Sequence, residues 1–330
     1  MKKTLLTTAL ILAISGSAYA RDYIQIVGSS TVYPFATIVA EKFGQNSGFA
    51  TPVIESTGSG GGMKLFCSGI GTDKPDITNA SRAMKPSEAK LCASNGVSFQ
   101  EFIVGNDGLA FAQSNVSEPM DLGIEHIAAA LAAELDGYGN TMKTWDEVDA
   151  YVAQKTNTTK IGLPKRPISV MIPPPTSGTR DAMGSLFMKK GWKKLGLEGK
   201  GYKHIREDGV AIEMGENDNL IVEKLVADPE MFGIFGYSFF DTNRDKVQAS
   251  RINDVELTFE NIASYEYPGA RPLFFYVKKE HVGIIPGLKE FIAEFVSENA
   301  MGLDGYLFAA GLVPLSATDF GTQIAARDSL

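Results

Sequence analysis

Four times along this chain a short apolar run ends in Ser, Thr or Gly, and a helical pattern begins with no spacer. Tyr23-Ile24-Gln25-Ile26-Val27 leads into Gly28-Ser29-Ser30-Thr31. Val32, Phe35, Val39 and Phe43 follow at spacings of three and four, which predicts an amphipathic helix stopped at Gly44. Pro52-Val53-Ile54 leads into Glu55-Ser56-Thr57-Gly58-Ser59-Gly60-Gly61-Gly62, with a helix expected from about Gly61 to Phe66. Pro75-Asp76-Ile77-Thr78-Asn79-Ala80 leads into Ser81-Arg82 and a helix from about Pro86 to Cys92. Ile168 to Ile172 leads through Pro173-Pro174-Pro175 into Thr176-Ser177-Gly178-Thr179-Arg180, and a helix that buries Met183, Leu186 and Phe187 and stops at Gly191. Strands alternating with helices predict an α/β fold with parallel sheet.

In such sheets ligands sit beyond the carboxyl ends of the strands, where all four loops lie. Hydroxyls and bare N–H groups at a helix N-terminus suit an oxyanion, and glycine lets the backbone come close to it. A single Ser at such a place is adequately explained as an N-cap. Four loops of the same chemistry, two of them with arginine, point together to an anion site.

The first 20 residues read as a secretory signal peptide. Lys2 and Lys3 precede an apolar run from Leu5 to Ile14, and Ala18-Tyr19-Ala20 supplies small residues for cleavage. The run is too short to span a membrane, and no Cys follows the cleavage point to carry a lipid. Two of the 31 Lys and Arg residues fall in the leader, so residues 21–330 carry 29 against 39 Asp and Glu, a net −10. That balance disfavours nucleic acid and anionic membrane as partners. An anion must then be held locally, by aimed dipoles and one or two arginines in a closed pocket. About 310 residues suffice for two domains with separate cores.

Cys67 and Cys92 are the only cysteines. In an oxidising compartment an even pair close in sequence predicts one disulfide, stabilising by roughly 3 kcal/mol through loop closure. A thiol metal site is the alternative; the spacing is not CxxC, and His126, His204 and His281 show no ligand spacing. No metal or cofactor is expected.

Gly28-Ser29-Ser30-Thr31-Val32-Tyr33-Pro34, Thr57 to Gly62, Ala80-Ser81-Arg82 and Ser177-Gly178-Thr179-Arg180 resemble, in order, the ligand loops of periplasmic phosphate-binding proteins of the PstS family, the capture subunits of phosphate ABC importers. The resemblance covers essentially all of residues 21–330. It implies a type II periplasmic-binding-protein fold, α/β, with two lobes joined by two crossing segments and a ligand cleft between them. The crossings would fall in Phe102–Phe111 and Arg271–Val277, giving one lobe from 21–105 with 274–330 and another from 106–273. Carried over, it assigns Ser30 and Thr31, Ser59 and Gly60, Ser81 and Arg82, and Ser177, Gly178, Thr179 and Arg180 to the ligand. The implied function is capture of inorganic phosphate in the periplasm and delivery to permease subunits, by a monomer that does no chemistry.

Two departures bear on selectivity. The best-known branch has an aspartate where Arg82 stands, and an arginine where this chain has its proline corner. In that branch the aspartate accepts the phosphate's proton and turns sulfate away, because an unpaired buried acceptor facing an oxyanion is costly. Asp107 is the leading replacement and Asp181 the second. A binding protein for sulfate or another tetrahedral oxyanion is therefore the nearest alternative. A secreted phosphatase or hydrolase is a more distant one, with no G-x-S-x-G elbow, no P-loop lysine in register and no His beside a nucleophile. An adhesion protein would need an anchor or repeats that the chain lacks.

The remaining features read as structural: an Ala-rich helix over Ile124–Leu135, a short helical turn at Trp145, a core strand at Phe232–Tyr237, and solvated lysines at Lys189-Lys190 and Lys193-Lys194.

Overall fold

The computed structural model describes residues 21–175, 177–215 and 218–330. The expected leader and Thr176 of the fourth loop lie outside the described residues. β1 (Gln25–Gly28) lies between β2 (Val53–Ser56) and β3 (Ile77–Ala80), all parallel, with Ile26 level with Ile54 and Ile77. These strands feed α1 (Tyr33–Asn46), α2 (Gly58–Phe66) and α3 (Pro86–Ser94). Next comes β4 (Phe99–Ser114), the longest strand, then α4 (Ile124–Leu131) and a hairpin of β5 (Glu134–Leu135) and β6 (Tyr138–Gly139). After α5 (Trp145–Thr156) follow β7 (Val170–Ile172), β8 (Ala211–Glu213), β9 (Phe232–Gly236), β10 (Val247–Ala249) and β11 (Ala270–Lys278).

The hydrogen-bonded order is β2-β1-β3-β11-β4-β9-β7-β8, with β10 also paired to β4. β4 runs antiparallel to β11 from Phe99 to Gly108, then continues antiparallel to β9 from Leu109 to Ala112. One strand thus serves both halves, and the fold is two α/β lobes joined through β4 and β11. Both expected crossings lie in these two strands.

The apolar core divides at the same place. Ile24 through Val104, with Leu273 through Leu315, form one cluster; Leu109 through Ala270 form another, to which Val313 is added. Cross-strand aromatic pairs anchor each half: Phe102 and Phe275 stack at 4.8 Å in the first, Phe111 and Phe232 at 4.8 Å in the second. Removing each such ring from water contributes roughly 2–3 kcal/mol. Cys67 and Cys92 form a disulfide between α2 and α3, buried with Met63, Phe66 and Tyr276 against the outer face of the first lobe.

Several local expectations are corrected. Gly44 does not end α1, which continues to Asn46; a Cβ at Gly44 would lie 2.0 Å from Thr51 Oγ1, so the glycine serves close packing. The same holds for Gly191, where a Cβ would meet the Ile124 carbonyl at 2.3 Å and the helix continues to Lys194. α2 begins at Gly58, three residues earlier than expected. The Ala-rich helix stops at Leu131, because Ala132 turns extended to bridge Ile205 and Asp136-Gly137 then adopt the left-handed conformations of a tight hairpin turn. Trp145 begins a 12-residue helix, not a single turn.

Candidate functional site

Three of the four loops touch the guanidinium of Arg271, in the second crossing strand, and the second loop is joined to them through the third. Its Nη2 donates to Thr31 Oγ1 at 3.0 Å, in the first loop, and to the Gly178 carbonyl at 3.2 Å, in the fourth. Nη1 reaches the Ser81 carbonyl of the third loop at 3.4 Å. Nε and Nη2 both donate to Asp107 Oδ2 at 3.2 Å, across the β4–β11 ladder, where Asp107 and Arg271 are register partners. The second loop joins through Ser81, whose N–H donates to Ser59 Oγ at 3.1 Å, with the two hydroxyls 3.2 Å apart.

Strand ends make this convergence possible. Gly28 closes β1 at φ +128, and a Cβ there would strike the Asn79 carbonyl at 2.2 Å. No L side chain fits that conformation and that space together. The turn brings Ser29, whose Oγ accepts from the Thr31 N–H at 3.2 Å, beside the end of β3. In the fourth loop Ser177 Oγ caps its helix by accepting from the Thr179 N–H at 3.1 Å.

Beside Arg271 opens a cavity of about 570 Å³. Of the expected ligand residues, Ser59, Gly60, Ser81, Arg82 and Arg180 line it. Ser30, Thr31, Ser177, Gly178 and Thr179 stand outside this lining, in the seam where the first and fourth loops meet, with Thr31 and Gly178 on Arg271 itself. Asp107 also stands behind Arg271, whereas Asp181 faces the cavity.

The two arginines expected from sequence are both engaged. Arg82 forms a two-pronged pair with Glu88 at 2.7 and 2.8 Å. Arg180 donates to the Pro173 carbonyl at 2.7 Å and lies 3.7 Å from Glu213. The guanidinium that the loops share is Arg271, which sequence reasoning had placed only as a strand residue. An arginine inside an otherwise apolar crossing segment, directly before Pro272, was the available signal. Burial pulls the Arg271 guanidinium's pKa down and pushes the Asp107 carboxyl's up, and each charge opposes the other's shift.

The helix after the fourth loop carries an irregularity. α6 (Gly178–Ala182) passes into a π-helical stretch, Met183–Met188, before a last α-helical segment, Lys189–Lys194. Asp181, Ser185 and Lys189, spaced four residues apart along one face of this segment, all line the cavity. Lys189 is exposed, as expected of a solvated lysine, and also lines the cavity. Among the described residues no group of three His, Cys, Asp or Glu is placed to hold a metal ion, and no helix is long and apolar enough to cross a membrane.

Comparison with known proteins places this architecture. A PBP superfamily domain matches residues 13–299. Protein SphX of Synechococcus elongatus is 30% identical over 312 residues, 92% of this chain and 81% of that protein. The phosphate-binding protein PstS of Staphylococcus saprophyticus is 25% identical over 308 residues, covering 92% and 83%. Among solved structures, a possible phosphate binding protein from Planctomyces limnophilus superposes with a TM-score of 0.68 at 27% identity, over 93% of this chain and 98% of that one. With two lobes on shared crossing strands and three of its four loops meeting at one arginine, the chain belongs to the PBP superfamily and, within it, to the PstS family.

Proposed function

We propose that this protein is exported to the periplasm after loss of residues 1–20, captures inorganic phosphate between its lobes as a monomer, and hands it to the permease subunits of an ABC importer. The lobes of this reading are 21–105 with 274–330, and 106–273; the division of the apolar core between Val104 and Leu109, and between Ala270 and Leu273, supports them. One observation carries the function: a buried guanidinium from a crossing strand touches loops of both lobes and their shared backbone strand at once. A planar fork donor suits phosphate oxygens. Ser59 and Ser81 supply neutral donors beside it, with Arg82 and Arg180 at the wall.

Binding works through closure. An anion that engages Ser81 from the first lobe, Arg271 from the second crossing strand and the Ser177–Thr179 turn from the second lobe favours the closed arrangement by its differential affinity. A permease reverses that gain by prising the lobes apart. In this reading Ser59 and Ser81, whose hydroxyls lie 3.2 Å apart, act as hydrogen-bond donors to a ligand that is bound and released unchanged. Asp107 spends its carboxylate on Arg271 and orients it. Asp181, which faces the cavity, is then the acceptor for the proton of phosphate.

Thermal unfolding with phosphate, arsenate and sulfate at equal concentration tests this reading after bound ligand is stripped. A shift with phosphate and arsenate but not sulfate is expected, since a saturating ligand stabilises by mass action. No shift with any oxyanion would remove the binding claim. With Asp181→Asn, sulfate should gain a shift approaching that of phosphate; unchanged discrimination would return the acceptor role to Asp107.

A further inference from the structure

The cavity is more cationic than a single orthophosphate requires. Six cationic side chains line it, and Asp181 is the one carboxylate among them, in a chain of net charge −8. The arginines already have partners: Glu88 for Arg82, Glu213 for Arg180, Asp107 for Arg271. Lys85, Lys189 and Lys203 are different. Among the described residues no carboxylate oxygen forms an ion pair within 4 Å of their ammonium groups.

The three lysines come from separate, well-supported elements on both sides of the cavity. Lys85 precedes α3, and its backbone N–H is tied to Glu88 at 2.8 Å. Lys189 directly follows the π-helical stretch and lines the cavity. Lys203 ends a short 3₁₀ turn, Gly201–Lys203, that is packed on the Trp192 ring; a Cβ at Gly201 would lie 2.5 Å from Trp192 Cη2. Tyr202 joins the wall from the same turn. The three lysines are exposed to solvent at the cavity wall, and an anion carrying charge beyond the inner seat would meet them there. The volume agrees, since about 570 Å³ exceeds by several times what one phosphate group fills.

We propose that the outer cavity is a second anion subsite, and that the protein takes condensed inorganic phosphate, pyrophosphate in the first instance, with one phosphoryl group at Arg271 and Ser81 and the other among Lys85, Lys189 and Lys203. The inference rests on the phosphate reading of the inner seat and extends its ligand class. Ammonium groups on flexible stems suit the outer phosphoryl group, whose position varies with the bridging angle, whereas the fork of Arg271 fixes the inner one.

Calorimetric titration of orthophosphate and pyrophosphate into the purified protein, and into a Lys85→Ala, Lys189→Ala, Lys203→Ala variant, tests the subsite. The substitutions are expected to weaken pyrophosphate about tenfold or more, and orthophosphate by less than about threefold. A Lys189→Arg, Lys203→Arg variant should retain pyrophosphate binding, which separates lost charge from lost structure. Failure of the wild-type protein to bind pyrophosphate while it binds orthophosphate overturns the subsite alone. Equal weakening of both ligands also overturns it, because the lysines would then act as a general field. Failure to bind orthophosphate would instead remove the reading of the inner seat.

Discussion

A Cβ placed on Gly178 would stand 1.9 Å from Thr31 Oγ1 and 2.6 Å from the Thr31 nitrogen. The helix start of the fourth loop is thus seated directly on the first loop, with Arg271 bridging the two from below. The two halves of the fold meet again on another side. A Cβ on Gly311 would lie 1.9 Å from the Ser238 Cβ, and Phe259 and Phe308 pack edge to face at 6.0 Å. The lobes therefore touch at two places besides the crossing strands, so tightly at Gly178 and Gly311 that the smallest added side chain would obstruct the contact.

Gly178→Ala should hold the first and fourth loops apart without disturbing either core. Overpacking of this kind costs about 1–3 kcal/mol, here charged to the closed state, which corresponds to phosphate affinity lowered roughly 5- to 150-fold. The melting temperature without ligand should change by only a few degrees. Affinity equal to wild type would mean that the seam is not part of the closed complex.

Much of this architecture was legible because it rests on local chemistry. The four loops announce themselves through Ser, Thr and Gly directly after β-branched runs, and α1 through the spacing of Val32, Phe35, Val39 and Phe43. What was not legible depends on distance along the chain. Arg271 meets Thr31 from 240 positions away, and nothing around it in sequence marks it as central. Arg82 and Arg180 were conspicuous because they sit inside the motifs, yet Glu88 and the Pro173 carbonyl occupy their donors. Gly44 and Gly191 misled for a related reason: a glycine reads as a stop, and only the neighbouring element shows that it is a contact. The π-helical stretch leaves no periodicity signal, and nothing in the sequence marks the exposed Lys189 as part of a cavity wall.

Reducing the Cys67–Cys92 disulfide should loosen the outer face of the first lobe and leave the inner seat intact. The bond spans 25 residues and staples α2 to α3 over a small cluster that includes Phe66 and Tyr276. The chain-entropy estimate for a loop of this length is about 3 kcal/mol. Cys67→Ser with Cys92→Ser should unfold at correspondingly lower denaturant while binding phosphate within about threefold of wild type. A large loss of affinity would show that α2, which presents Ser59, needs the bond to hold its place.

Lys278 offers a test of a buried charge remote from the cavity. Its side chain is fully buried, its Nζ donates to the Gly69 carbonyl at 2.7 Å, and it lies over the Phe66 ring. Burial lowers its pKa to about 8 from the usual 10.5, against the opposing pull of Asp76 and Glu280. Between those values the folded protein binds fewer protons than the unfolded chain, so stability gained from this residue rises with pH. Relative to Lys278→Met, the wild type should gain about 3 kcal/mol as pH goes from 8 to 10.5, read from denaturant unfolding at fixed ionic strength. A flat difference would mean that the ammonium stays solvated.

The Arg271–Asp107 pair gives the sharpest prediction, because removing either member leaves the other charged among apolar strands. Breaking such a pair costs about 3–5 kcal/mol when one charge is left behind. Arg271→Met leaves Asp107, whose carboxyl burial already raises above the ordinary value and which then loses the one cation opposing that rise. A carboxyl with a raised folded pKa binds more protons folded than unfolded between the two values. Its contribution is fully present below the unfolded value, near 3.9, and is lost as pH rises through the folded one. Arg271→Met should therefore be close to wild type in stability at about pH 4 and fall steadily behind it toward pH 7. The double variant Arg271→Met, Asp107→Asn should remove most of that slope, since no buried charge remains to be stranded. Both variants should bind phosphate at least about a hundredfold more weakly, the loss expected for removing a charge-assisted donor from a closed site. If the single variant showed no pH slope, Asp107 would be reached by water in the folded state. If the double variant bound phosphate as well as wild type, the inner seat would have to be built on Arg82 and Arg180 instead.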